Sequence, residues 1–307
     1  MKILNMEPTK AEPVNAPEAV NPIANDPKPL LDPFFEQRPS RIMPDMDFEV
    51  YKNLPAANAS MLKKPTAKEM LHSLIGPNIP TPAMMGGTLT HTAVFEPNLF
   101  DTDKWKEQYQ VFTATKTLDS KAALAALALD PRPLITPDML DTARRSRDAV
   151  WNHKEACRLL LETGKCEVSA EAWDADMGCM RKVRIDRLPD DPAVGVVDLK
   201  TTSGSLLLRP FVSECFKYSY GLQLAFYMDT LAMIEAKPRE TAWIIAVNKE
   251  APFMARVFEM NQALPEVSLI VRGRDIYQER LASFVLSYHE SRWDGYENEQ
   301  PSPILTA

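Results

Sequence analysis

The chain has 307 residues, 45% hydrophobic and 25% charged, an ordinary globular composition with room for one large domain or two small ones. A formal net charge of -7 excludes a globally basic surface, so any nucleic-acid contact must come from a local patch. Cys157, Cys166, Cys179 and Cys215 form no CxxC pair, which argues against a disulfide framework and fits an iron–sulfur cluster poorly.

The opening MKILNMEPTK lacks the apolar stretch of a signal peptide, and no run approaches ~18 apolar residues, so the expected location is cytoplasmic with no membrane span. Residues 1–46 hold nine of the 26 prolines and no glycine, which predicts a disordered Pro-rich tail or partner-binding arm. Residues 47–296 read as the structured domain and 297–307 as a second, polar tail. Asn58 and Ser60 offer helix caps before Lys63 and Lys64, which either meet phosphate or form a solvated pair. Gly86 and Gly87 mark a loop, and Pro97 ends a following helix of about two to three turns that carries His91. Alone, such a histidine is more often a core residue than a ligand. Residues 101–164 read as mostly helical, most clearly at 122–129 and 140–161. Arg144, Arg145 and Arg147 share an exposed face, suited to a DNA backbone or simply to solvent.

Residues 166–173 alternate as a strand, with Glu167, Ser169 and Glu171 on one face, and 174–178 supply a hairpin turn. Strands at 180–188 and 194–200 follow, the first carrying Asp186 and the second Asp198-Leu199-Lys200. Side chains alternate along a strand, so Asp198 and Lys200 project together while Leu199 enters the core. Two carboxylates and an ammonium are costly to gather unless a divalent cation joins them. Arg181, Lys182 and Arg184 make the hairpin basic, which suits a phosphodiester better than a sugar or peptide. A helix at 218–234 places Tyr220, Gln223, Leu224 and Tyr227 in one stripe, which either lines a site or packs with its polar tips in water. Strands at 241–248 and 253–260 and a long helix at 265–293 complete the chain. Strands grouped between helices imply an α/β fold, a central mixed β-sheet flanked by helices.

In this order, His91, Glu167-x-Ser169, Asp186, Asp198-Leu-Lys200-Thr-Thr202 and Gln223-x-x-x-Tyr227 resemble the PD-(D/E)XK (restriction-endonuclease-like) nucleases. Gly87-Thr-x-x-His91-x-x-x-x-Glu96-Pro97 and the Lys-Glu-x-Pro turn at 249–252 narrow the likeness to the RecE-type, exodeoxyribonuclease VIII-like phage recombination exonucleases. Asp198 stands where the superfamily more often has Glu.

The resemblance implies Asp186 and Asp198 as catalytic metal-binding carboxylates, the Leu199 carbonyl and His91 as further metal ligands, and Lys200 as the group that orients or activates the attacking water and helps neutralise charge on the phosphate. Glu167 takes the first-strand acidic position, with Glu171 on the same face as the alternative. Gln223, Tyr227, Thr201, Thr202 and Arg184 would contact DNA. The implied cofactor is Mg2+, with Mn2+ as the alternative. The implied activity is 5′-to-3′ digestion of double-stranded DNA ends, leaving 3′ overhangs for a RecT-like single-strand annealing protein. A homo-oligomer is expected, a tetrameric ring in processive relatives. The competing readings are a restriction- or repair-type endonuclease on the same core and a non-catalytic DNA-binding protein.

Overall fold

The computed structural model describes residues 26–76, 80–102, 104–114, 118, 120–261 and 268–297. Its helices are α1 (Lys28–Leu31), α2 (Phe48–Asn53), α3 (Ala59–Leu62), α4 (Ala67–Ile75), α5 (Pro82–Phe95), α6 (Pro97–Asp101), α7 (Lys121–Leu129), α8 (Pro137–Asn152), α9 (Lys154–Leu161), α10 (Leu208–Lys217), α11 (Tyr220–Ala232) and α12 (Leu269–Glu290). Its strands are β1 (Arg41–Met43), β2 (Gln110–Val111), β3 (Leu134–Ile135), β4 (Gly164–Asp174), β5 (Cys179–Pro189), β6 (Val196–Thr202), β7 (Thr241–Asn248) and β8 (Ala255–Asn261).

Six strands form one sheet in the order β1-β4-β5-β6-β7-β8, antiparallel throughout except for the parallel β6–β7 pair. The expected mixed sheet flanked by helices is therefore present. Alternation decides which residues face which layer. Val168, Ala170, Val183, Ile185, Ala242 and Ile244 pack with α3, α4, α11 and α12 on one face. Val197, Leu199, Ile245 and Val247 pack with α5, α8 and α9 on the other. Each fully buried aliphatic or aromatic side chain contributes about 1.5–3 kcal/mol. Helices α11 and α12 cross where Gly273 faces Gly221, and a Cβ on Gly273 would lie 2.3 Å from the Gly221 backbone. Only glycine permits that approach.

Several sequence expectations are corrected. Residues 26–46, expected within the disordered tail, are structured: Leu31 and Phe34 are buried in the core, and β1 pairs with β4. Pro29 and Pro33 sit in the first turns of α1 and a short 3-10 helix, where the missing N–H is harmless. Residues 1–25 and 298–307 of the two expected tails lie outside the described residues. Gly86 and Gly87 do not form a loop but lie inside α5, which starts at Pro82 with the Thr81 hydroxyl capping Met84 N. The helix expected at 140–161 is two helices, broken at His153, whose ring Nδ1 caps the second at Ala156 N. Between β6 and α11 lies a further helix, α10.

Candidate metal centre

The site forms where β5 and β6 part. Their ladder is short and pairs Arg187 with Val197. Beyond it, the Asp186 carboxylate takes the place of a backbone acceptor, and its Oδ2 accepts the Leu199 N–H at 2.7 Å. The N–H and C=O of one strand residue point to the same edge, so the Leu199 carbonyl opens onto the same gap. His91 makes a backbone contact with Leu199 there.

Two helices serve this gap from opposite faces of the sheet. From one side, α5 brings His91, whose Nδ1 lies 3.4 Å from Asp186 Oδ2. From the other, α11 brings Gln223, whose Nε2 donates to Asp198 Oδ1 at 3.0 Å and to Tyr227 Oη at 3.1 Å. Glu167 on β4 completes a set with His91 and Asp186, whose ligating atoms all lie within 4.8 Å of one another. Glu167 adopts φ 54°, a left-handed conformation unusual for this residue and a mark of local strain at the cluster.

Electrostatics point the same way. Burial, then the neighbouring Asp198, push the Asp186 carboxyl up to about 8. Burial and Asp186 also raise Glu167, while burial lowers His91. Asp198 is 1% exposed, and its Oδ2 lies 2.5 Å from Lys200 Nζ, an ion-pair contact without hydrogen-bond geometry. Two carboxyls raised by burial and by neighbouring negative charge, beside an imidazole that burial lowers, form a donor set that an added cation would stabilise. A divalent cation fits it: Asp186, Glu167 and His91 close on one point, with Asp198 and the Leu199 carbonyl adjoining. The oxygen-rich donors suit Mg2+ or Mn2+.

The other expected site residues are placed as follows. Glu171 does not join the cluster; it is fully buried and paired with Arg38 at 3.4 Å and Arg41 at 3.0 Å. Arg184, expected at DNA, instead donates to Glu167 Oε2, the Ser169 hydroxyl and the Met46 carbonyl, each at 3.0 Å. It holds Glu167 in place from its own strand pair. Thr202, also expected at DNA, is 4% exposed, and its hydroxyl donates to Glu214 at 2.7 Å while accepting the Gly204 N–H. That hydroxyl anchors the turn after β6. Thr201 Oγ1 faces Gly87 of α5, where an added Cβ would stand 3.8 Å away. Gln223 and Tyr227 line the site, but Gln223 is only 9% exposed.

One residue left open by sequence reasoning enters the site. Lys63 Nζ donates to Gln223 Oε1 at 2.7 Å across 160 positions of chain. No local pattern could signal a contact at that separation. Arg145 and Arg147 are engaged in surface ion pairs with Asp141, Asp101 and Asp148. No helix among the described residues is long and apolar enough to cross a membrane.

A mixed sheet that opens beside Asp-x-Lys, with a further aspartate on the neighbouring strand, defines a PD-(D/E)XK-type nuclease domain. The chain belongs to the family of PDDEXK-like domains of unknown function (DUF3799), whose profile matches residues 50–282. It is also similar in fold to a "putative exonuclease" from Eubacterium rectale, at 13% identity and a TM-score of 0.53 over 84% of this chain and 92% of that one. No curated protein matches the chain.

Proposed function

We propose that the chain is a Mg2+-dependent 5′-to-3′ exodeoxyribonuclease that digests double-stranded DNA and leaves 3′ single strands for recombination by annealing. The observation that carries the reading is the convergence of His91, Glu167 and Asp186 within 4.8 Å at the strand opening flanked by Asp198 and Lys200. Exonuclease polarity and duplex substrate rest on the RecE-type resemblance of the residues at 87–97, 198–202 and 223–227.

When bound, a divalent cation acidifies water and neutralises charge on phosphoryl oxygens. The chain's own groups do the rest. Asp186, Glu167 and His91 would hold the cation, with Asp198 beside them. Lys200 Nζ, 2.5 Å from Asp198, can donate a hydrogen bond that orients the attacking water or a phosphate oxygen, and its charge offsets the charge that builds during attack. Its position 5.0 Å over the Tyr220 ring limits where the ammonium can swing. Gln223 fixes the Asp198 carboxylate. A RecT-like annealing protein as partner and a ring-shaped homo-oligomer follow from the same resemblance.

The test is digestion of linear duplex DNA labelled at the 5′ or the 3′ end, with Mg2+, beside closed circular DNA. Early release of 5′ label from the linear form alone is expected. Cutting of the circle would support the endonuclease reading instead, and DNA binding without any cutting would support the non-catalytic one.

A further inference from the structure

Gln223 has one acceptor and two donor hydrogens on its amide, and three neighbours account for them. Lysine has donors only, so the atom facing Lys63 Nζ at 2.7 Å must be the Gln223 oxygen. A carboxylate has acceptors only, so the Gln223 NH2 must face Asp198, which it does at 3.0 Å, with its second hydrogen on Tyr227 Oη at 3.1 Å. The amide is therefore locked in one orientation by chemistry at both ends. Without Lys63, a half-turn of the amide would set the Gln223 carbonyl against the Asp198 carboxylate, acceptor to acceptor.

Lys63 is held firmly enough to act this way. It closes α3, where its own N–H bonds back to the Ala59 carbonyl at 3.0 Å. The preceding Leu62 carbonyl accepts from Arg280 of α12 at 2.9 Å. The α3 N-terminus is capped by the Asn58 side chain on Met61 N at 3.1 Å. The Lys63 ammonium also lies 5.9 Å from the Tyr220 ring, the ring that Lys200 faces at 5.0 Å. Burial, then the nearby Lys200, lower the Lys63 ammonium to about 8.

We propose that Lys63 is a positioning residue for the candidate metal centre: it fixes the Gln223 amide so that its NH2 keeps the Asp198 carboxylate aimed at the strand opening. The proposal rests on the nuclease reading for its kinetic consequence but not for its effect on metal affinity. It separates Lys63 from Lys200, which the mechanism places at the reacting phosphate. It also gives Gln223 a task inside the protein rather than at a DNA base.

The test is a double-mutant cycle of Lys63→Met and Gln223→Ala, read by Mn2+ affinity in titration calorimetry and by kcat and KM on linear duplex DNA. Supporting partners of metal ligands are worth roughly 10–100-fold in metal affinity or activity. Lys63→Met is expected to weaken Mn2+ binding and lower kcat within that range, with KM unchanged. In the Gln223→Ala background the same substitution should change neither quantity by more than about twofold, since coupled residues are not additive. Equal fold losses in both backgrounds would overturn the proposal, as would a KM increase at unchanged kcat, which is the signature of direct DNA contact. If Lys63→Met does not fold, Lys63→Arg, which keeps the donors, carries the test. Mn2+ affinity within about fivefold of wild type is then expected, and a loss as deep as that of Gln223→Ala overturns the idea. A wild-type protein that cuts no DNA would end the nuclease reading, while the Mn2+ affinities would still decide the role of Lys63.

Discussion

The Asp186 carboxylate accepts the Leu199 N–H at 2.7 Å, so a side chain stands where the next rung of the β5–β6 ladder would be. This contact both terminates the pairing and pins the two strands at the width of the opening. It ties Asp186 to the strand that bears Asp198 and Lys200. The candidate metal centre thus lies at a break in the sheet.

Asp186 predicts a stability that depends on pH and metal together. Its folded-state carboxyl titrates well above the usual range, at about 8, because of burial and Asp198. Between about pH 4 and about pH 8 the metal-free folded state therefore holds a proton that the unfolded chain releases. Stability contributed by this group is full at low pH and falls as pH rises through that window. Thermal unfolding in EDTA should show this fall, and Mg2+ should reverse it near pH 8 by binding the ionised form. Asp186→Asn should flatten both responses. An unchanged pH slope in that variant would contradict the assignment.

Glu167 and Glu171 share a face of β4 but have different partners, and they should fail differently. Glu167→Gln removes one of the three converging donors and should lower cleavage about 100-fold or more, with the melting temperature little changed. Glu171→Gln weakens a fully buried partner of Arg38 and Arg41 and should destabilise by about 1–3 kcal/mol. Its cleavage rate, measured below the melting range, should match wild type. The reverse pattern would exchange their roles.

Gly273→Ala should transmit a packing defect to the site. The new methyl meets Gly221 backbone at 2.3 Å, so α11 and α12 must separate, at a typical overpacking cost of about 1–3 kcal/mol. Because α11 carries Gln223 and Tyr227, urea unfolding and cleavage should both suffer. Full stability with full activity would show that the crossing can relax.

Deleting residues 1–46 should destabilise the domain. The deletion removes buried Leu31 and Phe34, the Phe35 ring stacked 3.7 Å from Tyr288, and the edge strand β1. A broad or lowered denaturation midpoint is expected. A cooperative transition at the wild-type midpoint would show that these contacts contribute little.

Much of this architecture was legible in the sequence because it is local. Period-two alternation around Asp186 and Asp198-Leu199-Lys200 gave the strands and the faces, and helical spacing put Gln223 and Tyr227 together. What was hidden depends on distant partners. Arg41–Met43 is a strand only because β4 offers it an edge, and the prolines around it mask that tendency. Glu167 and Glu171 are equivalent by alternation, and only Arg38 and Arg41 from the N-terminal segment separate them. Gly86 and Gly87 suggest a loop until the Thr81 cap, Pro82 and the close approach of α5 to Thr201 favour a helix. Thr202 and Arg184 read as DNA contacts, yet folding gives both internal partners.

The most direct measurement is hydrolysis of linear duplex DNA by the wild-type protein, Asp198→Ala and Lys200→Ala, each with Mg2+ and with EDTA, with folding of each checked by circular dichroism. The account predicts cutting by the wild type in Mg2+ alone and loss of at least about 100-fold in both variants with the fold retained. Wild-type rates in either variant, or cutting that survives EDTA, would contradict a metal centre built on Asp186, Asp198 and Lys200.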